Sequence, residues 1–234
     1  MSDTLLLVKN LSKTKNNIEI LKDINFSIDK GQVVGLLGAN GSGKTSLLKL
    51  IALLNRPSEG SIEFDSKPLS IESKNEMVFL PDLDVLDAKS KISSIISFYE
   101  GVFYNFKKDI ALEILDSLKI KSNAYINRCS KGTREKIALA LTMARQVKLY
   151  MFDEPIVGID PVARDLVLGI ILKYKKQDSS LIISTHLLNE VEAILDTALF
   201  MYEGRLIANK KLNDIKESGL SLEASFKELI LTQG

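Results

Sequence analysis

The sequence has few of the residues from which disulfides and metal centres are built. Its 234 residues include one cysteine, one histidine and no tryptophan. A single cysteine cannot form an internal disulfide, so a reducing compartment fits best. A single histidine excludes a metal site with several histidine ligands. Proline and glycine are also scarce, at 5 and 13 residues, while 45% of the residues are hydrophobic. This composition excludes a disordered or collagen-like chain and predicts a packed globular protein.

Neither a charge excess nor a long apolar run is present. The 31 basic and 30 acidic residues leave a net charge of +1, which argues against a dedicated nucleic-acid binder. The longest apolar runs, such as Leu166–Leu172, are far shorter than the roughly 20 residues that a membrane-spanning helix needs. Residues 1–5 lack the basic region of a secretory signal. We therefore expect a soluble, cytoplasmic protein that reaches a membrane only through a partner.

Strand and helix patterns alternate along most of the chain, which predicts an α/β fold with a mostly parallel sheet. Residues 1–30 predict short strands at 5–8, 18–21 and 24–28, with a polar loop around Lys15–Asn17 that need be no more than a hairpin tip. The further predicted elements are a buried strand at 33–37, a helix from about 44 to 54, a helix at 133–145, a strand at 149–152, a helix at 162–175, a strand at 181–184, a helix at 188–195, a hairpin of 198–202 with 205–208, and a C-terminal helix at about 221–232.

Helical periodicity replaces the strand pattern from about Leu83. Apolar residues recur at helical spacing at 92, 95, 96 and 99, and again at 110, 114, 115 and 118. We interpret 1–234 as one domain, in which a helical subdomain at about 83–145 is inserted into the α/β core and the N-terminal strands form an antiparallel β subdomain.

A glycine-rich loop follows the buried strand at 33–37 and precedes a helix. Its sequence matches the pattern G-x-x-x-x-G-K-[ST], which binds nucleotide phosphates through backbone N–H groups and a helix N-terminus. In such a loop Lys44 reaches the β- and γ-phosphates and the Thr45 hydroxyl holds Mg²⁺. The alternative, a glycine turn beside a lysine, does not explain the strand and helix on either side. The predicted ATP-binding residues of this phosphate loop are Gly38, Ala39, Asn40, Gly41, Ser42, Gly43, Lys44 and Thr45.

Two carboxylates end the apolar strand at 149–152. In a P-loop fold, an aspartate at such a strand end meets Mg²⁺ beside the loop threonine, which predicts Asp153 as a metal ligand. Glu154 points differently and suits a general base facing the γ-phosphate. An ordinary acidic turn before Pro155 is the alternative, which the phosphate loop upstream disfavours. His186 follows the strand at 181–184 at its carboxyl end, where α/β sites lie, and this position favours a catalytic role over a packed histidine.

The remaining motifs resemble those of ATP-binding cassette (ABC) proteins, in that family's order. The segment Cys129–Thr133 resembles the family's L-S-G-G-Q signature, and Gly158–Pro161 resembles its D-loop. Ser184–His186 resembles the H-loop, and Phe79–Asp82 resembles the Q-loop. The resemblance covers nearly the whole chain, and it implies a P-loop NTPase core with Mg²⁺-dependent ATP hydrolysis.

The resemblance also implies a second ATPase subunit, identical or different, facing the first head to tail around two ATP molecules. Ser130, Lys131 and Gly132 of one subunit would then close on the γ-phosphate held by the other. For Lys131, a solvated side chain is the alternative that we favour. Asp160 would connect the two sites, and His186 would contact the γ-phosphate and position Glu154.

The sequence departs from the family pattern at three places. The Q-loop glutamine is replaced by Asp82, a candidate metal ligand. The position where an aromatic ring usually stacks on adenine reads Thr14–Asn16, so base contact falls to apolar residues such as Ile18 or Ile20. The signature carries Cys129, Lys131 and Thr133 where the family has leucine, glycine and glutamine.

The variant signature and the acidic Q-loop position resemble ATPase subunits of ABC-2 type bacterial exporters, a group that includes antimicrobial-peptide efflux systems. The resemblance implies an integral membrane permease as partner and a place on the inner face of the cell membrane, with no nucleic acid. A weakly hydrolysing regulatory subunit of a heterodimer is the alternative. A ribosome- or DNA-directed cassette protein is disfavoured by the single cassette and the neutral charge. A GTPase is disfavoured because Asn209–Leu212 lacks the aspartate of a guanine-reading motif.

Overall fold

The computed structural model describes residues 3–82 and 86–232, so Leu83, where the predicted helical subdomain begins, lies outside the described residues. The strands are β1 Thr4–Lys15, β2 Ile18–Asp29, β3 Val33–Leu37, β4 Glu59–Phe64, β5 Lys67–Pro68, β6 Met77–Leu80, β7 Leu149–Asp153, β8 Ser180–Thr185, β9 Thr197–Tyr202 and β10 Arg205–Lys211. The helices are α1 Lys44–Ile51, α2 Ile92–Val102, α3 Lys108–Ser117, α4 Lys131–Met143, α5 Pro161–Tyr174, α6 Leu188–Val191, α7 Leu212–Glu217 and α8 Leu222–Leu231.

The chain divides into two compact units. The first comprises Met1–Phe79, Lys148–Glu154 and Asp178–Gly234, and the second comprises Leu80–Val147 and Pro155–Gln177. Within the first unit, an antiparallel sheet has the order β2-β1-β4-β5, and a six-stranded sheet has the order β10-β9-β3-β8-β7-β6. Strands β9, β3, β8 and β7 run parallel to one another, which confirms the predicted α/β fold with a mostly parallel sheet and an antiparallel N-terminal sheet.

The first hairpin is longer than its sequence pattern predicts. Strands β1 and β2 run unbroken for 12 residues each, with several register shifts along their pairing. Asn10 and Asp23 have φ of 48° and 47°, so local irregularities interrupt the alternation of apolar and polar residues without ending the strands. Asn16 and Asn17 have φ of 50° and 62° and form the two-residue turn, as the hairpin-tip interpretation predicts.

One hydrophobic core lies in the first unit between the antiparallel sheet, α1 and the parallel strands. It includes Leu6 of β1, Leu47 of α1, Met151 of β7, Ile182 of β8 and Leu199 of β9, each at most 1% exposed. Burying one such side chain contributes roughly 1.5–3 kcal/mol, so this core fixes the ends of the parallel strands relative to α1. The phosphate loop and the acidic strand end both depend on that arrangement.

The second unit is helical, and α3 packs against α4 within it. The loop after α2 joins the end of α4 through Arg145, which is 4% exposed. Its Nε donates to Asn105 Oδ1 at 2.7 Å, and its guanidinium lies 3.8 Å from the centre of the Phe103 ring. A buried cation is tolerated because these contacts replace its water, and the sequence pattern gives no sign of them.

Several element ends differ from the prediction. α4 begins at Lys131 rather than 133, because Ser130 caps it, and α1 ends at Ile51 rather than 54, ahead of Leu53, whose φ is 56°. The predicted helix at 188–195 is a short α-helix to Val191 followed by a 3₁₀ turn at Glu192–Ile194.

Candidate functional site

The phosphate loop is shaped by backbone conformations that favour glycine. Gly38 has φ of 158°, and a Cβ there would lie 2.3 Å from the Met201 carbonyl oxygen. Gly43 has φ of 105° and caps α1 without a side-chain hydrogen bond, and the first turn of α1 contains no acidic residue. The N-terminus of α1 therefore offers N–H groups and positive potential to an anion.

The Lys44 side chain is held inside this loop. It is 5% exposed, and its Nζ donates to the carbonyl oxygens of Gly38 at 2.7 Å and Ala39 at 3.1 Å. Nζ also lies 3.4 Å from Glu154 Oε1. The Ser42 hydroxyl is buried and makes no hydrogen bond with residues 3–82 or 86–232. A buried ammonium and an unsatisfied hydroxyl in the same loop fit a phosphate, because phosphate oxygens accept from both.

Asp153 lies where α1 meets the end of β7. Its Oδ1 accepts a hydrogen bond from Thr45 Oγ1 at 3.1 Å and another from Ser184 Oγ at 2.6 Å. The structure thus brings Thr45 and Asp153 together, which is the pair expected to hold Mg²⁺. Within the described parts of the chain, no group of three or more His, Cys, Asp or Glu side chains is arranged to hold a metal ion by itself. A hydroxyl and a carboxylate oxygen suit a Mg²⁺ ion that takes its other ligands from phosphates and water.

Glu154 is held in an uncommon backbone conformation. Its φ is 52°, in the left-handed region, and its N–H donates to the Ser184 carbonyl oxygen at 3.0 Å and to Ser184 Oγ at 3.3 Å. The side chain is 12% exposed, and both carboxylate oxygens lie 3.2 Å from His186 Nδ1. A non-glycine residue pays roughly 1–2 kcal/mol in this region, so the surrounding contacts hold Glu154 there against its preference.

Comparison with known proteins agrees with this geometry. The sequence profile of a family described as ABC transporter matches residues 21–157, which include the phosphate loop, the signature segment and the acidic strand end. The chain belongs to the ABC transporter family. Within that family it is an ATP-binding subunit, and the family hydrolyses ATP.

Individual ABC transporter relatives match over most of their length. The ABC transporter ATP-binding protein NatA of Bacillus subtilis (strain 168) is 29% identical over 223 residues, covering 91% of this chain and 90% of NatA. The SkfA peptide export ATP-binding protein SkfE of the same organism is 28% identical over 219 residues, covering 91% and 92%. A solved structure described as the ATP binding subunit of an ABC transporter superposes with a TM-score of 0.86 at 26% identity, covering 97% of this chain and 100% of that one.

The signature residues of this ABC subunit lie in the second unit, at the start of α4. Ser130 is the N-cap, and its Oγ accepts from the Thr133 N–H at 3.2 Å and lies 2.8 Å from Thr133 Oγ1. The Lys131 side chain is 77% exposed, with Nζ 3.6 Å from Glu135 Oε1. A Cβ at Gly132 would meet no atom within 4 Å in the part of the chain that the structure describes. The cap and the open backbone leave this helix start accessible to an incoming anion.

Asp160 and Asp82 also belong to the second unit. Asp160 caps α5, since its Oδ1 accepts from the Ala163 N–H at 3.1 Å. Asp82 is exposed in the bend after β6. The structure therefore gives Asp160 a capping role in α5. Among residues 3–82 and 86–232, Asp82 makes no contact that would define a metal site. Both predicted roles at the ATP site stay predictions.

Ser184 is the site residue that sequence reasoning missed. The sequence motif Ser184–His186 points to the histidine, whereas the structure shows the serine contacting both acidic residues. The signal lies in strand register, because Asp153 pairs with Ser184 between the parallel strands β7 and β8.

No helix among residues 3–82 and 86–232 has the length and apolar character needed to cross a membrane.

Proposed function

We propose that this ABC subunit binds ATP in the phosphate loop and hydrolyses it with Glu154 as general base. The buried Lys44 ammonium carries the proposal, because it belongs to the loop that matches the phosphate-binding pattern. Two carbonyl oxygens of that loop accept from it, and Glu154 Oε1, just after β7, lies 3.4 Å away. The backbone N–H groups of Gly38–Thr45 and the unsatisfied Ser42 hydroxyl supply the remaining donors. ATP as ligand follows from the family, and Ile18 and Ile20 stay the candidates for base contact.

We infer that Mg²⁺ is held between Thr45 and Asp153, with Asp82 as a further candidate ligand. When bound, Mg²⁺ neutralises charge on the phosphates. The supporting observation is the 3.1 Å hydrogen bond from Thr45 Oγ1 to Asp153 Oδ1, which places the two oxygen ligands side by side.

The His186 ring is assigned to hold Glu154. With a proton on Nδ1, the ring donates to the Glu154 carboxylate and fixes the direction of the base. Its side chain is 33% exposed, which leaves the other ring nitrogen able to reach a phosphate. This intact pair favours an active ATPase over the weakly hydrolysing regulatory subunit.

We propose a head-to-tail dimer, with an identical or a different partner, in which the signature of one subunit meets the ATP of the other. Ser130, Lys131 and Gly132 would contact the γ-phosphate there, and Asp160 would link the two sites. In support, the exposed Ser130 and the open backbone at Gly132 stand at a helix N-terminus. The helical subdomain at about 83–145 and the C-terminal helix at about 221–232 remain parts of the single domain that we propose for 1–234.

We further propose that the subunit works in export, bound to an integral membrane permease on the inner face of the cell membrane. One relative named for peptide export, SkfE, supports this direction. The resemblance of the variant signature to ABC-2 type exporters points the same way.

Glu154→Gln tests the hydrolytic mechanism and the dimer together. The variant keeps the shape and the His186 contact but loses the base, so it should bind ATP, turn it over at least about 100-fold more slowly, and elute as a dimer only with ATP. Gel filtration of wild type and variant with ADP is the control. A variant that binds ATP and stays monomeric would contradict the sandwich, and wild-type turnover would contradict the role of Glu154.

A further inference from the structure

Ser184 lies at the point where both acidic residues of the site are held. It is the penultimate residue of β8 and is 0% exposed. The parallel pairing of β7 with β8 sets it opposite Asp153. The pairing of two strands therefore fixes the position of Ser184 relative to Asp153.

The Ser184 side chain and backbone contact different partners. Its Oγ donates to Asp153 Oδ1 at 2.6 Å, a short hydrogen bond to an ionised acceptor. Its carbonyl oxygen accepts the Glu154 N–H at 3.0 Å, and the same N–H lies 3.3 Å from Ser184 Oγ. One residue thus supports a predicted metal ligand and the predicted base.

These contacts determine how the Asp153 carboxylate is oriented. Thr45 and Ser184 both donate to Oδ1, which prevents the carboxylate from rotating freely. Oδ2 receives no hydrogen bond from any residue in 3–82 or 86–232. If Mg²⁺ takes up the Thr45 hydroxyl, Ser184 becomes the side-chain donor that still orients Asp153.

We propose that Ser184 is a positioning residue, whose hydroxyl orients Asp153 for Mg²⁺ while its backbone oxygen holds Glu154 in the left-handed conformation. The proposal rests on the proposed function, since it concerns the metal and the base of that site. Residues that hydrogen-bond to metal ligands affect metal affinity by about 10- to 100-fold when they are replaced.

The test measures nucleotide affinity instead of turnover. Binding of a non-hydrolysable ATP analogue is titrated with Mg²⁺ and with EDTA in wild type, Ser184→Ala and Ser180→Ala. Ser180 is the matched control, because it is a 0% exposed serine of the same strand whose Oγ donates to the Asp29 carbonyl oxygen at 2.9 Å. In EDTA, Ser184→Ala should bind the analogue as tightly as wild type does. The increase in affinity on adding Mg²⁺ should be about tenfold smaller than in wild type, whereas Ser180→Ala should show the wild-type increase.

Conservative variants separate a positioning role from general packing. Ser184→Thr keeps the hydroxyl and should restore the Mg²⁺ gain, whereas Ser184→Cys has nearly the same shape but a weak donor and should lose it. If Ser184→Ala does not fold, Ser184→Cys decides. A full Mg²⁺ gain in Ser184→Cys, or in a folded Ser184→Ala, overturns the proposal for Ser184. Wild-type protein that binds no analogue at all overturns the proposed function instead.

Discussion

Lys44→Ala is the perturbation for which the structure gives the clearest magnitude. The ammonium already donates to the Gly38 and Ala39 carbonyl oxygens and lies 3.4 Å from Glu154 Oε1. Hydrogen bonds to a charged group contribute about 1.5–3 kcal/mol each, but phosphate oxygens would replace existing partners here. We therefore expect Lys44→Ala to lose about 3 kcal/mol of ATP-binding free energy, the value of one or two such bonds. This loss corresponds to roughly 100-fold weaker ATP binding.

The assay is equilibrium titration of ATP against purified wild type, Lys44→Ala and Lys49→Ala. Lys49 is the control, because it lies in the last turn of the same helix and loses the same side-chain atoms on substitution. Lys49→Ala should bind within about threefold of wild type. An affinity of Lys44→Ala within that same range would refute the assignment of the buried ammonium to the phosphates.

Three further variants test other parts of the structure. His186→Ala should keep ATP affinity and hydrolyse about 100-fold more slowly, since Glu154 loses the ring that orients it; turnover at the wild-type rate would remove this role. Hydrogen bonds from Lys148 and then Lys30 hold the pKa of Asp65 below its usual value, so its stabilisation exists above the unfolded pKa and is lost as pH falls through the lower folded pKa. Asp65→Asn should therefore be less stable than wild type at pH 7, by under about 1 kcal/mol because these side chains are partly exposed. In urea unfolding, the difference in the free energy of unfolding should disappear below about pH 4. A difference that persists there would contradict the ion pair. Lys119 has φ of 57° just after α3, so Lys119→Gly should exceed Lys119→Ala in stability by about 1 kcal/mol, and equal stabilities would show that the left-handed conformation carries no strain.

The phosphate loop and the parallel core were predictable because their signals are local. The glycines, Lys44 and Thr45 lie within eight consecutive residues after a fully apolar strand, and that order specifies a strand, a loop and a helix start. The placement of Asp153 and His186 at strand ends also followed, since parallel strands present their carboxyl ends along one edge.

Contacts between distant segments were not predictable in the same way. Ser184 and Asp153 are separated by 31 residues, and only the register of two parallel strands makes them neighbours. The sequence pattern predicts shorter strands in the first hairpin, because the positive-φ residues Asn10 and Asp23 break the alternation of apolar and polar residues. Backbone pairing nevertheless continues past both residues. The sequence pattern does not predict helix α7, because its six residues are too few for a helical periodicity to show.

The left-handed backbone at Glu154 affects which residue types are most stable at this position. Asparagine and glycine adopt a φ near 52° more readily than glutamate does, so the conformation that aims the carboxylate works against folding. A chain selected for thermal stability alone would favour those residues here. Glutamate at 154 therefore lowers the stability of the native state somewhat, while the same backbone conformation holds the proposed base in one direction.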